Sequence, residues 1–185
     1  METPYACYLR LSALLDLQRP RTMDERFFIT VHQSAEVLAS QAVVYLYRAA
    51  EHAQAGKDLE AAAALRRVTA FVDILEHHLT LLDHLEPDSF ASFRPLLGNA
   101  SGAQSSQFIE LFHRIAAEDL LGPPTDALPT QQPLASSALQ ALRGAVVRWR
   151  VRHLLLVERM TGDQPGTGGT SGLAFLRDQI DLPPR

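Results

Sequence analysis

Apolar residues in this chain recur every three or four positions over long stretches, and no stretch of alternating apolar and polar residues stands out. From Asp24 to Gln54 the series Phe28, Val31, Ala35, Leu38, Ala42, Tyr45 and Ala49 gives a single long helix one apolar face. Gly56 breaks the pattern, and Asp58 is placed to cap a second helix. That helix runs to about Leu85, with Leu65, Val68, Val72, Leu75, Leu79 and Leu82 facing inward. Glu86-Pro87-Asp88 ends it and caps a short helix carrying Phe90, Phe93 and Arg94. Gly98-Asn99 marks a turn, and Gln104–Glu118 is helical again. A last long helix spans about Ser136–Met160, and a short one follows near Leu173–Gln179. With helical periods throughout, we expect an all-α fold: a bundle of long antiparallel helices held by packing of their apolar stripes.

The length, 185 residues, suits one domain over 1–185. Within it, residues 1–20 form an N-terminal arm. The piece Gly122–Pro133, with four prolines, is a connection without a helical signal. The lone Cys7 cannot form an internal bridge and points to a reducing compartment. Met1–Tyr8 is neither basic nor apolar enough for a secretory leader, and no apolar run reaches the roughly 20 residues of a membrane span. The expectation is a soluble, cytoplasmic protein. A net charge of −4 with interspersed signs gives no electrostatic footprint for nucleic acid. The basic cluster Arg148, Arg150, Arg152 reads instead as structural ion pairs and ligand contacts.

Two histidines sit on apolar helix faces. His32 lies in RFFITVHQSAEV, with Phe28 one turn before it. His153 shares a face with Trp149, Leu156, Val157 and Met160. A neutral imidazole projecting into an apolar pocket is what an axial haem ligand needs, although on spacing alone the first reading of each ring is a hydrogen-bonded core histidine. Arg94, beside two phenylalanines, offers a bidentate fork for a carboxylate or a surface stack on Phe90. Five of the ten glycines fall between Gly162 and Gly172. GTGGTSG there lacks the Lys-Ser/Thr of a phosphate loop, so its glycines more plausibly let backbone and the Thr167 hydroxyl approach a ligand. His77-His78 beside Asp73 and Glu76 could hold zinc, but a solvated helix face is the simpler reading. His52, His84 and His113 lack metal spacing, and no Ser/His/Asp order appears.

Taken in order, FFITVHQ, FRPLLGNASGAQSSQF, RWRVRHLLLVERMTG and GTGGTSGLAFLR resemble the tryptophan 2,3-dioxygenase family over most of the chain. The resemblance implies a haem b enzyme that inserts both atoms of O2 across the indole C2–C3 bond of L-tryptophan or a related indole amino acid. An N-formylkynurenine-type product would result. It implies a homo-oligomer, tetramer or dimer, whose YACYLRLSALL arm brings Tyr5 to a neighbouring subunit's site. His153 would be the axial ligand of the haem iron, with Trp149, Ser101 and Gly168 around the cofactor. His32 would accept a hydrogen bond from the indole N–H, between Phe28 and Phe90. Arg94 would pair with the substrate carboxylate and Thr167 would close over the amino acid with its glycine loop. His32 and Ser101 would be the catalytic residues.

The chain departs from the family in places. It is shorter, the helical insert before RWRVRH being replaced by Gly122–Pro133. SGFQS reads SGAQS, placing Ala103 where a phenylalanine is expected, and Ile109 stands in an arginine position. HQAYELWFKQ reads HQSAEVLASQ, so Ala35 and Leu38 replace bulk. These changes keep two further readings open: a haem monooxygenase hydroxylating an aromatic or indole amino acid, and a non-catalytic haem or indole binder.

Overall fold

The structure, a computed structural model, describes residues 2–122 and 132–181. The proline-rich connection therefore lies outside the described residues except at its two ends. Helices α1 (Pro4–Leu9) and α2 (Leu11–Leu15) form the arm. They lead into α3 (Met23–Gln54), α4 (Asp58–His78), α5 (Pro87–Phe93), α6 (Ser106–Ala116), α7 (Pro133–Thr161) and α8 (Leu173–Asp181). No strand occurs among the described residues, and none of their helices is long and apolar enough to cross a membrane. The all-α expectation holds.

Local chemistry sets most boundaries. Thr22 caps α3 by accepting from the Glu25 N–H at 3.1 Å, and Gly56 adopts the left-handed conformation that ends the first hairpin. The second helix is shorter than its apolar spacing predicts. After His78 the chain tightens into a 3₁₀ segment, Leu79–His84. Arg159 on α7 donates to the carbonyls of Leu82 (2.7 Å) and Leu85 (3.0 Å) and ties down that end. The stripe of α3 also differs. Ala39, Leu46 and Ala53 are buried with Val31, Ala42 and Ala49, whereas Leu38 and Tyr45 are only half-buried.

Asp58 does not cap its own helix. It is the first residue of α4, and its carboxylate accepts from the backbone N–H groups of Leu134 (3.2 Å) and Ala135 (2.8 Å), so it caps α7. Farther along, Arg148 meets Asp73 (2.7 Å) and Glu76 (3.3 Å), and Arg152 meets Asp83. Both helices advance in the same sense, so α7 runs parallel to α4. The long helices are antiparallel where α3 meets α4.

The core has two parts. At the end where α4 and α7 begin, the interface is rich in alanine: Ala49, Ala53, Ala61, Ala62, Ala64, Ala135 and Ala138 are all buried there. At the other end Val31, Leu82, Leu85, Phe93 and Leu156 form a second cluster with Phe28, Phe90 and Met160 against it. Small side chains let helix axes approach closely, and larger side chains occupy the aromatic end. A cavity lies at that end.

Candidate functional site

The cavity measures about 580 Å³ and draws its lining from α3, α4, α6, α7 and α8. Ligand sites of 300–1,000 Å³ are typically apolar with a few placed polar groups, and this one fits that description. Four histidines line it: His32 from α3, His78 from α4, His113 from α6 and His153 from α7. Leu156, Val157 and Met160 supply the apolar wall beside His153, as their shared helix face predicts.

His153 lies against Trp149, with ring centroids 5.0 Å apart and planes 22° from parallel. Trp149 is in turn stacked on Phe108 at 5.3 Å and packed by Phe112 at 5.0 Å. Among the described residues the His153 ring has no hydrogen-bond partner, so stacking fixes its plane and leaves its nitrogens available. Burial, with a smaller contribution from the charge of His32, pushes its pKa down to about 4. The ring is therefore neutral, with a lone pair to donate, at any ordinary pH.

His32 is oriented differently. Its Nδ1 lies 2.8 Å from the Phe28 carbonyl, so Nδ1 carries the proton and Nε2 is left as an acceptor. Phe28 covers the ring at 3.9 Å and continues into Phe90 (5.6 Å) and Phe93 (5.5 Å). Much of the His32 side chain is open, but onto the cavity it lines. Burial lowers its pKa, and the charge of His78 adds to that. The bond to Phe28 and the carboxylate of Glu36 act the other way. His78 is held by Ser34 at 2.7 Å, which makes it part of the cavity wall rather than of a zinc site. Glu36 accepts from Ser105 at 2.9 Å, and Ser105 caps α6, so one carboxylate ties α3 to the head of the helix across the cavity.

The basic cluster divides. Arg148 and Arg152 form ion pairs with α4 and its extension. Arg150 instead lines the cavity, half-buried over the Phe112 ring at 5.4 Å, and donates to the Gln179 carbonyl at 2.6 Å. No acid neutralises it among the described residues, and desolvation lowers its pKa. Phe108, Phe112, Arg150 and the α8 residues Phe175 and Gln179 are site residues that the helical stripes did not single out. Their signal was spacing: Phe108 and Phe112 are one turn apart, and Arg150 is one turn before His153.

The remaining expected residues stand behind one edge of the cavity. Arg94 follows Phe90 and Phe93, but its Nη1 donates to Gln164 Oε1 (2.9 Å) and its Nη2 to the Pro165 carbonyl (2.7 Å). Ser101 caps the turn Gly102–Gln104, whose Gly102 and Ala103 do line the cavity. The Thr167 hydroxyl donates to the Ala100 carbonyl at 2.5 Å. Gly168 packs so closely on Ser101 that a Cβ there would lie 2.7 Å from the serine Cβ. The glycine loop is thus folded onto the Arg94–Ser101 turn. Tyr5 is 68% exposed on α1 and does not line the cavity of its own chain.

The family model of tryptophan 2,3-dioxygenase matches residues 1–121 and 130–182. The chain belongs to the tryptophan 2,3-dioxygenase family. Its membership places it among oxygenases. It is 31% identical to the tryptophan 2,3-dioxygenase of Anaeromyxobacter dehalogenans, over 97% of this chain and 91% of that protein. It is 30% identical to the tryptophan 2,3-dioxygenase of Pseudomonas aeruginosa, over 96% and 84%. A Nocardioides tryptophan 2,3-dioxygenase is likewise 30% identical, over 96% and 89%. The match to the family model breaks between residues 121 and 130, at the connection expected to replace an insert.

Proposed function

We propose that this protein is a haem-dependent dioxygenase cleaving the indole C2–C3 bond of L-tryptophan, or of a related indole amino acid, to an N-formylkynurenine-type product. The observation that carries the reading is the cavity lined from opposite helices by His153 on α7 and His32 on α3. One ring is neutral, stacked and without a hydrogen-bond partner, and the other is held with its acceptor nitrogen free.

The residues present fit a haem. His153 offers an unprotonated nitrogen to iron, Leu156, Val157 and Met160 offer hydrocarbon to a porphyrin face, and Arg150 is a desolvated cation awaiting a carboxylate. The bound haem would supply the activation of O2, chemistry that no side chain here can perform. The chain's own part is orientation. His32 Nε2 can accept the indole N–H, which holds the ring against Phe28 without removing a proton from so weak an acid. Arg94 follows the cavity-lining Phe90 without lining the cavity itself and carries a fork suited to a carboxylate, and Thr167 lies on the loop that Arg94 bonds. Fixing reactants in this way can contribute several kcal/mol toward the barrier, up to roughly 7–11 in the best cases. Apolar walls keep water from the reacting atoms.

Ala35 and Ala103 both line the cavity where the family carries bulk. That favours room for an indole bearing a substituent. The test is the haem-reconstituted, reduced protein supplied with L-tryptophan and substituted tryptophans under ¹⁸O₂, with His153→Ala beside it. Two labelled oxygen atoms in a ring-opened product, and a Soret band lost in the variant, support the proposal. One labelled atom in an intact ring moves the assignment to hydroxylation. A Soret band indifferent to His153 sinks it.

A further inference from the structure

Arg94 is a half-buried cation with no acidic partner among the described residues, whereas Arg148 has two and Arg152 has one. Its fork is nonetheless full. Two guanidinium nitrogens face two oxygens, Gln164 Oε1 at 2.9 Å and the Pro165 carbonyl at 2.7 Å, both contributed by the glycine loop. This is how a carboxylate engages an arginine, with two side-by-side N–H···O bonds, but here both oxygens are neutral.

We infer that Gln164 is a specificity-determining residue that holds the carboxylate seat with an uncharged surrogate, so that a ligand must bring its own carboxylate to displace it. This rests on the reading of Arg94 as that seat. The surrogate is built into the loop. Gly172, at φ +63°, passes so close to the Gln164 carbonyl that a Cβ would lie 2.6 Å from its oxygen. Gly166 donates to the Thr170 carbonyl at 3.1 Å, which closes the loop on itself, and Thr167 and Gly168 dock it on Ala100 and Ser101. The side chain of Gln164 is thereby delivered to Arg94 by the backbone around it.

The exchange has a direction. A carboxylate brings to the Arg94 fork a full negative charge that neither Gln164 nor Pro165 carries, so a substrate carboxylate gains more from Arg94 than the two neutral oxygens lose. An amine or a bare indole ring gains nothing there and leaves the loop where it is. The latch therefore weakens the binding of indole amino acids modestly and narrows the preference that Arg94 gives them over decarboxylated analogues. Asp163 is adjacent in sequence but makes no bond to Arg94, so no internal charge competes.

The test measures anaerobic binding of L-tryptophan and of tryptamine to the ferric, haem-loaded protein by calorimetry. It compares wild type, Gln164→Ala, Gln164→Glu and Arg94→Ala. Gln164 is solvent-exposed, so the first two substitutions leave the fold intact. Gln164→Ala should tighten L-tryptophan about three- to tenfold, the worth of one hydrogen bond. Gln164→Glu should weaken it about tenfold by supplying an internal carboxylate. Tryptamine should respond to neither. Opposite signs for Ala and Glu, seen only with the carboxylate ligand, are not what a merely structural loop residue would give. Equal or weaker L-tryptophan binding in Gln164→Ala, with binding abolished in Arg94→Ala, overturns the surrogate and keeps the seat. Wild-type binding by Arg94→Ala overturns both.

Discussion

Replacing His153 by glutamine should make the haem-free protein less sensitive to acid. Burial holds the His153 imidazole neutral down to about 4 in the folded chain, while the unfolded chain takes up that proton near 6.5. Between these two values the unfolded state binds a proton that the folded state refuses. Unfolding free energy therefore falls as pH drops through the window from 6.5 to about 4, and the loss is complete below it. The whole difference corresponds to about 3 kcal/mol. Water entering the cavity softens this, so about 1–3 kcal/mol is the expected share of His153. His32, also depressed by burial, adds a loss of the same sign that the variant retains. Urea unfolding of the haem-free protein from pH 7 to pH 4, for wild type and His153→Gln, measures the difference between the two curves directly. The wild type should converge on the variant as pH falls, losing about 1–3 kcal/mol more. Two parallel curves would show that His153 takes up its proton in the folded cavity at the same pH as in the unfolded chain, and the argument that burial keeps its nitrogen neutral would fail.

Other expectations follow from single contacts. Asp58→Ala removes the cap of α7 and a charge at its head, and should cost about 1–2 kcal/mol in denaturant unfolding while leaving haem uptake unchanged. An unchanged midpoint would mean that water replaces the cap without loss. Phe93, fully buried and edge-on to Phe90 at 5.4 Å, should cost about 3–5 kcal/mol as Phe93→Ala. A smaller value would show that the aromatic cluster collapses into the gap. Gly168→Ala places a Cβ against Ser101 and should lift the loop, about tenfold faster cleavage between Gly162 and Gly172 by a non-specific protease being the readout. Wild-type cleavage rates would contradict the close packing seen there.

Helix identity was legible in the sequence because long apolar periodicity needs no tertiary knowledge. The start of α3 lies within one residue of its expected position, Asp24, since Thr22 supplies a local cap. Features that depend on distant partners were not legible. The 3₁₀ segment after His78 keeps a helical apolar spacing, and only Arg159, far along the chain, decides its carbonyl partners. Asp58 looked like a cap and is one, but for a helix whose head the sequence cannot place beside it. The buried stripe of α3 runs through Leu46 as well as alanines, and periodicity alone does not say which of two neighbouring apolar rows faces the partner helix. Ala39 and Ala53 are buried, while the larger Leu38 and Tyr45 flank the contact. At the site, the face shared by Trp149, His153, Leu156, Val157 and Met160 was readable from helix geometry alone. The contrast between Arg150 and its two neighbours was not, because it depends on where α4 presents its acids. Nor could the occupant of Arg94 be foreseen, since Gln164 reaches it only through the folded shape of the glycine loop.

The alanine-rich end of the bundle has a mechanical meaning. Three long helices packed through alanine at one end and lining a cavity farther along act as levers, with the packed end as fulcrum. A methyl or two added at Ala49, Ala62 or Ala138 would push the rods apart where alanine packs them, and their rigidity would carry that displacement, enlarged, to the mouth holding His32 and His153. The width of the chamber is thus set partly by side chains that never touch its contents, and small residues remote from the chemistry are as much a part of its calibration as the rings that face it.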